Sequence, residues 1–352
     1  MIIKSKNKNY NVIFTNHYIE FINKEANSGG LAIIDKNISI LYPEIIKKFE
    51  TNYFILDSNE ISKSYNNIEN IIQFLVDKGF RKNQSLIAIG GGITQDVCSF
   101  ISMIIYRGVE WQFFPTNLLS QCDSCIGSKI SINLKTYKNL IGGFYPPSNI
   151  YIDYNFLSTL NSKDIKSGLG EMLHYCLVSS ENDFILFLKY ANSIIKNINN
   201  IEYILPRVLE IKKNMVEIDE FDEGPRMIFN YGHTFAHALE SALDYNIPHG
   251  IAVAYGIDLA NLISVNLNYI SKAERNRIKN ACEIIYDDFK LPKVDINKFH
   301  IAIKKDKKNK ENLIGLILTK GIGNMFLEYH DFDDFKSIII NFFENKFDNQ
   351  NI

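Results

Sequence analysis

Two periods of hydrophobicity run through the amino-terminal part of the chain. Short apolar runs end in polar or glycine positions at LAIIDKN (31–37), YFILDSNE (53–60), SLIAIGGG (85–92), VEWQFFPT (109–116) and NIYIDYNFL (149–157). Between them NIENIIQFLVDKGF (67–80) has helical spacing and closes on Gly79, and a further helical stretch begins near Thr94. Strands alternating with helices are the pattern of a parallel α/β sheet. After Thr159 the period becomes helical almost throughout, over 163–178, 181–197, 201–218, 226–243, 249–268, 272–288 and 333–346, with a hairpin pattern at 311–329. The predicted fold class is α/β, with a sheet domain over 1–158 and an all-helical domain carrying a small hairpin over 159–352.

A chain of 352 residues suits two domains. It is 46% hydrophobic and 22% charged, ordinary for a globular protein, and its net charge of −2 does not mark a nucleic-acid binder. Five cysteines, an odd number in a chain large enough to stand without staples, point to a reducing compartment. Cys122 and Cys125 form a lone CxxC and read as buried or loop thiols. The start, MIIKSKNKNYNVIF, lacks the apolar core of a signal peptide, and no window is long and apolar enough to span a membrane. A cytoplasmic protein with neither a nucleic-acid nor a membrane partner is expected.

Gly90, Gly91 and Gly92 follow a strand and precede a helix, a place where backbone can approach a pyrophosphate. The full dinucleotide fingerprint is not met, because Gln95 stands where its last glycine would fall. A plain tight turn fits the glycines nearly as well. Asp35 and Glu60 end earlier strands, where an acid can bind a ribose hydroxyl.

RMIFNYGHTFAHALESAL (226–243) carries the sharpest signal. Arg226, Asn230, His233 and His237 are spaced 0, 4, 7 and 11. On a continuous helix at ~100° per residue they fall within ~60° of one another. Each histidine alone is more often a satisfied polar group. One cation, one amide and two imidazoles in register on an apolar helix point to a metal or anion site. His249 and Glu171 are further ligand candidates, and three protein ligands with open positions is a catalytic arrangement. The pair Glu171-x-x-His174 finds no second copy, which argues against a di-iron set. DSCIGSKISINLKTYKNLIGGFYPP (123–147) reads as a basic loop; with Lys212, Arg226, Lys307 and Lys308 it suits a phosphate and a carboxylate.

In IAIGGGITQDVCSF, YRGVEWQFFPTNLLSQCDSCIGSK, YKNLIGGFYPP, GLGEM, DEFDEGPRMIFNYGHTFAHALE, IPHG and KKDKK the chain resembles the 3-dehydroquinate synthase family of sugar phosphate cyclases, from about residue 30 to 325. The resemblance implies a Rossmann-like first domain, a helical second domain, NAD, and a divalent metal (zinc, with cobalt an alternative) held by Glu171, His233 and His249. NAD is expected on Gly90, Gly91 and Gly92, with Asp35, Glu60, Lys63, Asp96, Thr116, Asn117, Lys138 and Thr159 around it. Substrate is expected to meet Asp123, Lys129, Asn139, His174, Lys212, Arg226, Asn230 and Lys307 or Lys308. His237 becomes an acid–base or substrate contact, whereas spacing alone would make it a ligand. Arg107 is expected to reach the site of a partner subunit, which implies a homodimer. The implied reaction oxidises a ring hydroxyl against NAD, eliminates phosphate, returns the hydride and closes a carbocycle by an intramolecular aldol step. It is a phosphate-eliminating lyase reaction.

The chain departs from the family pattern at His174, where a lysine is usual, at Asn117 in place of the second Thr of PTT, at Ser128 in place of a Gly of GGK, and at Ile251 in place of an acid. His174 exchanges a permanent cation for a titratable group. Arg226 is retained, which favours an acidic substrate, 3-deoxy-D-arabino-heptulosonate 7-phosphate. The alternatives are a cyclase acting on another sugar phosphate, in secondary metabolism or surface polysaccharide, and a metal- and NAD-dependent alcohol dehydrogenase.

Overall fold

The fold is seen in a computed structural model that describes residues 1–135, 137–306 and 308–348. Contacts divide the chain into two compact units. The first is Met1–Leu160 with Lys212–Phe221, and the second is Asn161–Ile211 with Asp222–Ile352. The sheet unit thus also takes Lys212–Phe221, a segment that the single sequence boundary gave to the helical half.

The sheet unit contains β1 (Ile2–Ile3), β2 (Tyr10–Thr15), α1 (Tyr18–Asn27), β3 (Leu31–Asp35), α2 (Lys36–Leu41), α3 (Pro43–Phe49), β4 (Tyr53–Leu56), α4 (Tyr65–Asp77), β5 (Leu86–Gly90), α5 (Gly92–Ile104), β6 (Trp111–Pro115), β7 (Lys129–Leu134), β8 (Tyr137–Phe144) and β9 (Asn149–Asp153). Seven strands form one sheet in the order β1-β2-β9-β6-β5-β3-β4. All its pairings are parallel except that of β1 with β2. Ile33, Ile34, Ile87, Ile89, Phe113 and Phe114 are fully buried, each contributing roughly 1.5–3 kcal/mol of apolar burial. The chain runs outward from β3 to β4 and then returns to the other side of β3 as β5. The carboxyl ends of β3 and β5 therefore flank a topological switch point, the usual ligand crevice of a parallel sheet.

Two expectations fail in this unit. The stretch read as a basic loop instead contains an antiparallel hairpin, β7 with β8, preceded by a π-helical turn at Ser120–Ser124. Its strands are hard to read because β8 is half exposed and mixes Lys, Asn and Gly with its apolar residues. The early strand β2 was likewise not recognised: it alternates buried and open positions, yet it lies between β1 and β9.

The helical unit contains α6 (Ser162–Ser179), α7 (Glu181–Lys196), the first half of α8 (Leu205–Ile218), α9 (His233–Ala242), α10 (His249–Asn266), α11 (Lys272–Tyr286), α12 (Ile296–Ile303), the hairpin of β10 (Ile314–Thr319) and β11 (Met325–His330), and α13 (Lys336–Asp348). The expected helix over 226–243 is broken. Pro225–Asn230 form a 3-10 turn, Gly232 takes a left-handed φ of 80°, and α9 starts afresh at His233. A Cβ on Gly232 would lie 2.7 Å from Ile257 Cγ1 and 2.9 Å from the Ile257 nitrogen, so glycine lets this turn press against α10. Arg226 and Asn230 consequently do not continue the face of His233 and His237, and the four residues do not form the single stripe expected. No described helix is long and apolar enough to cross a membrane. All five cysteines are buried.

A carboxylate–imidazole site in the helical unit

Three helices bring the metal candidates together. Glu171 lies in the middle of α6, while His233 and His249 are the first residues of α9 and α10. Close packing of α6 on α10 makes the meeting possible. A Cβ on Gly170 would stand 2.0 Å from the Gly250 carbonyl oxygen, and one on Gly250 would stand 1.7 Å from that of Ser167. Only glycine fits at that crossing, and each glycine adjoins a ligand candidate.

Glu171 Oε1 lies 3.0 Å from both His233 Nε2 and His249 Nε2. The candidate donor atoms of the three residues lie within 4.8 Å of one another. A carboxylate of which 2% is exposed needs a cation or strong donors. Burial alone would raise the Glu171 carboxyl, but His233 and His249 outweigh it and hold it well below the usual range. For His249 the balance is reversed: burial would lower it, while Glu240 and then Glu171 hold the imidazole well above its ordinary value. One acid and two imidazoles, with open positions, fit a divalent metal of the zinc or cobalt kind.

His237 lies on the next turn of α9, its ring centroid 5.6 Å from that of His233 and 5.7 Å from that of His249. Desolvation, followed by the charges of His233 and His249, holds it below its ordinary range. Its side chain keeps open access to solvent. His174 is fully buried behind Glu171, with Nδ1 3.6 Å from Glu171 Oε2 and its ring edge-on to His233. Arg226 is buried in the 3-10 turn, and Asn230 there donates to the Met227 carbonyl at 3.1 Å. Lys308 pairs with Asp306 at 2.8 Å and acts electrostatically on His237. Lys307 lies outside the described residues.

In the sheet unit, five expected residues form one polar cluster. Lys63 Nζ lies 2.6 Å from both Asp96 Oδ2 and Asn139 Oδ1, and Lys138 Nζ lies 3.5 Å from Glu60 Oε1. Asn133, which the sequence did not single out, joins the two halves: its amide donates to Glu60 at 2.7 Å and its oxygen accepts from the Asn139 backbone. Lys212 is buried and ion-paired with Asp123 at 2.6 Å. Lys129 opens β7 and is exposed. Asp35 caps α2 through the amides of Asn37 and Ile38. Gly91 is the N-cap of α5, and a Cβ there would stand 2.4 Å from Asn117 Nδ2. This cradle at the switch point, with a helix N-terminus behind it, fits a dinucleotide's phosphates. The Thr116 amide donates to the Gly90 carbonyl, and Thr159 faces the Tyr42 hydroxyl at 3.3 Å. Arg107 is exposed in a turn where Tyr106 and Arg107 both take left-handed φ, 50° and 62°.

The sequence reading also missed Glu240, whose Oε1 lies 3.2 Å from His249 Nδ1. Its signal was present as an acid seven residues beyond His233 on the same helix face.

The chain thus combines a parallel α/β unit carrying a glycine turn with a helical unit carrying a carboxylate–imidazole set. The structure superposes on 2-deoxy-scyllo-inosose synthase complexed with carbaglucose-6-phosphate, NAD+ and Co2+, with a TM-score of 0.88, 23% identity, and coverage of 97% of this chain and 99% of the other. It also superposes on a 2-epi-5-epi-valiolone synthase from Streptomyces hygroscopicus subsp. jinggangensis with NAD+ and Zn2+ bound, with a TM-score of 0.85, 20% identity, and coverage of 98% and 99%. Residues 53–167 match the family described as 3-dehydroquinate synthase N-terminal, and residues 168–309 match 3-dehydroquinate synthase C-terminal. The chain belongs to the 3-dehydroquinate synthase family. The 3-dehydroquinate synthase of Pelagibacter ubique is 35% identical over 344 residues, 92% of each chain.

Proposed function

We propose that this chain is a phosphate-eliminating carbon–oxygen lyase that converts 3-deoxy-D-arabino-heptulosonate 7-phosphate to 3-dehydroquinate and phosphate. One observation carries the reading: Glu171, His233 and His249 converge within 4.8 Å in a chain whose two halves both match the family. In this reading these three residues hold a zinc or cobalt ion, and the bound ion supplies Lewis-acid polarisation of a substrate oxygen. The glycine turn Gly90–Gly92, with Asp35, Glu60, Lys63, Asp96, Thr116, Asn117, Lys138 and Thr159, holds NAD, which supplies a hydride acceptor restored within the same turnover.

The remaining roles belong to the chain's own side chains. Arg226 grips the substrate carboxylate through its planar fork, an interaction strengthened by burial. Lys129 and Lys212 of the sheet unit and Lys308 of the helical unit are substrate-binding cations in this reading, with Lys212 held by Asp123 and Lys308 by Asp306. Asn139 and Asn230 bind hydroxyls. His237 moves a proton to or from a substrate oxygen, a task suited to an imidazole kept neutral near pH 7. His174 supports Glu171 from its buried side. The active form is a homodimer in which Arg107 completes the partner's site.

Purified protein is supplied with 3-deoxy-D-arabino-heptulosonate 7-phosphate, NAD+ and Zn2+ or Co2+, and phosphate and cyclised product are measured. Stoichiometric phosphate with no net NADH is expected. Absence of phosphate would overturn the assignment, and phosphate from a different sugar alone would shift the substrate. Arg226→Ala should cost on the order of 2–4 kcal/mol in kcat/KM, and a loss smaller than about tenfold would remove its carboxylate role.

A further inference from the structure

We propose that Glu240 is a positioning residue for the metal site, holding His249 from behind so that its Nε2 faces Glu171. The inference rests on the reading of Glu171, His233 and His249 as metal ligands and extends it to a residue outside that set.

A neutral imidazole carries its proton on one nitrogen and its lone pair on the other. Whichever nitrogen meets a strong acceptor keeps the proton. Glu240 Oε1 lies 3.2 Å from His249 Nδ1, while His249 Nε2 lies 3.0 Å from Glu171 Oε1. When a cation takes up the Glu171 oxygen, the Glu240 carboxylate keeps the proton on Nδ1, leaves the Nε2 lone pair directed at the site and fixes the rotation of the ring. His233 is held in the same sense: its Nδ1 faces the Tyr231 carbonyl at 3.3 Å, and its Nε2 faces Glu171 at 3.0 Å. Both imidazoles are thus anchored through Nδ1, one by a main-chain oxygen and the other by a side chain. Glu240 follows His233 by two turns of α9, so this helix provides one ligand and orients the other, which α10 carries. Metal-bound histidines commonly have such an acceptor behind them.

A competing arrangement exists, because His237, Glu240 and His249 also place donor atoms within 4.8 Å of one another. There Glu240 would itself be a ligand. That choice would leave the Glu171 carboxylate, the most buried acid of the group, without a metal cation, so the structure favours the positioning role.

The test is the affinity of the full-length protein for Co2+, measured by competition with a chelating dye, together with the visible spectrum of the bound cobalt. Glu171→Ala should abolish binding. Glu240→Ala should weaken it about tenfold to a hundredfold and alter the cobalt bands. Glu240→Gln, whose amide oxygen still accepts from Nδ1, should recover most of that loss, and His237→Asn should leave affinity unchanged. Should Glu240→Ala fail to fold by circular dichroism, Glu240→Leu, closer in volume, takes its place. Parental affinity and spectrum in the Glu240 variants, with binding lost in Glu171→Ala, would overturn the positioning role alone. Parallel losses in His237→Asn and Glu240→Ala would make Glu240 a ligand and also overturn it. Retained binding in Glu171→Ala would sink the metal reading itself.

Discussion

Single residues in this protein matter most where a charge is buried. Asp183 is an example away from the metal candidates. It accepts from the Ser179 and Ser180 hydroxyls at 2.6 and 2.7 Å and from Arg207 Nε and Nη2 at 2.8 and 3.1 Å. Burial would raise its carboxyl, yet Arg207 and the two hydroxyls hold it down at about 2. A folded value below the unfolded one means that the stabilisation is complete above about pH 4 and fades as the pH falls toward 2. Asp183→Ala should therefore destabilise by about 1–3 kcal/mol at pH 7, and the gap between variant and parent should narrow in urea unfolding at pH 2–3. A pH-independent gap would show that the residue acts through packing alone. The ligand candidates themselves were legible as residue types. Glu171, His233 and His249 stand out because acids and imidazoles are rare in apolar surroundings. The acceptor behind His249 was legible only as the spacing of Glu240 from His233, a weak signal because an isolated Glu on a helix is ordinarily a solvated charge.

Helices and strands were predicted by period, and the failures have physical causes. The break at Gly232 was hidden because the residues on either side keep a helix-like apolar spacing, whereas the turn is dictated by contact with Ile257 on α10. The β7–β8 hairpin was hidden because half-exposed strands do not alternate cleanly. The α6–α10 crossing shows how element packing governs the site. Gly250→Ala would push a methyl into the Ser167 carbonyl, forcing the helices apart and separating Glu171 from His249. It should destabilise by roughly 1–3 kcal/mol and lower Co2+ affinity. Gly79→Ala, at a φ of 72° with nothing within 4 Å, should cost only about 1 kcal/mol of backbone strain and leave Co2+ affinity intact. Calorimetric titration of both variants checks the pair, and equal metal affinity in the two would refute the packing argument.

At the scale of the whole molecule, the proposed dimer makes a quantitative expectation. Arg107→Ala and Glu171→Ala should each be inactive as separate proteins if Arg107 serves the partner's site. When the two are unfolded together and refolded, half of the dimers should contain one chain of each kind, with one complete site of two. Phosphate release should then return to about a quarter of the parental value. No recovery, with sedimentation equilibrium still reporting dimers, would place Arg107 in the site of its own chain. The turn that carries it, with two consecutive left-handed residues ahead of Gly108, is a strained display of an exposed cation.

Much of this protein was settled along the chain. Alternating apolar runs and helical periods specify an α/β half and a helical half, because burial of one face is written locally at every few residues. The family motifs name the residues expected to carry the chemistry. Tertiary structure alone decided which of them touch. The order of strands put Gly90–Gly92 and Asp35 on either side of a switch point. Glycine contacts between helices separated by about eighty residues brought Glu171 to His249, and a left-handed turn set His233 apart from Arg226. Convergence of this kind depends on close approach between distant segments, and no local periodicity records it.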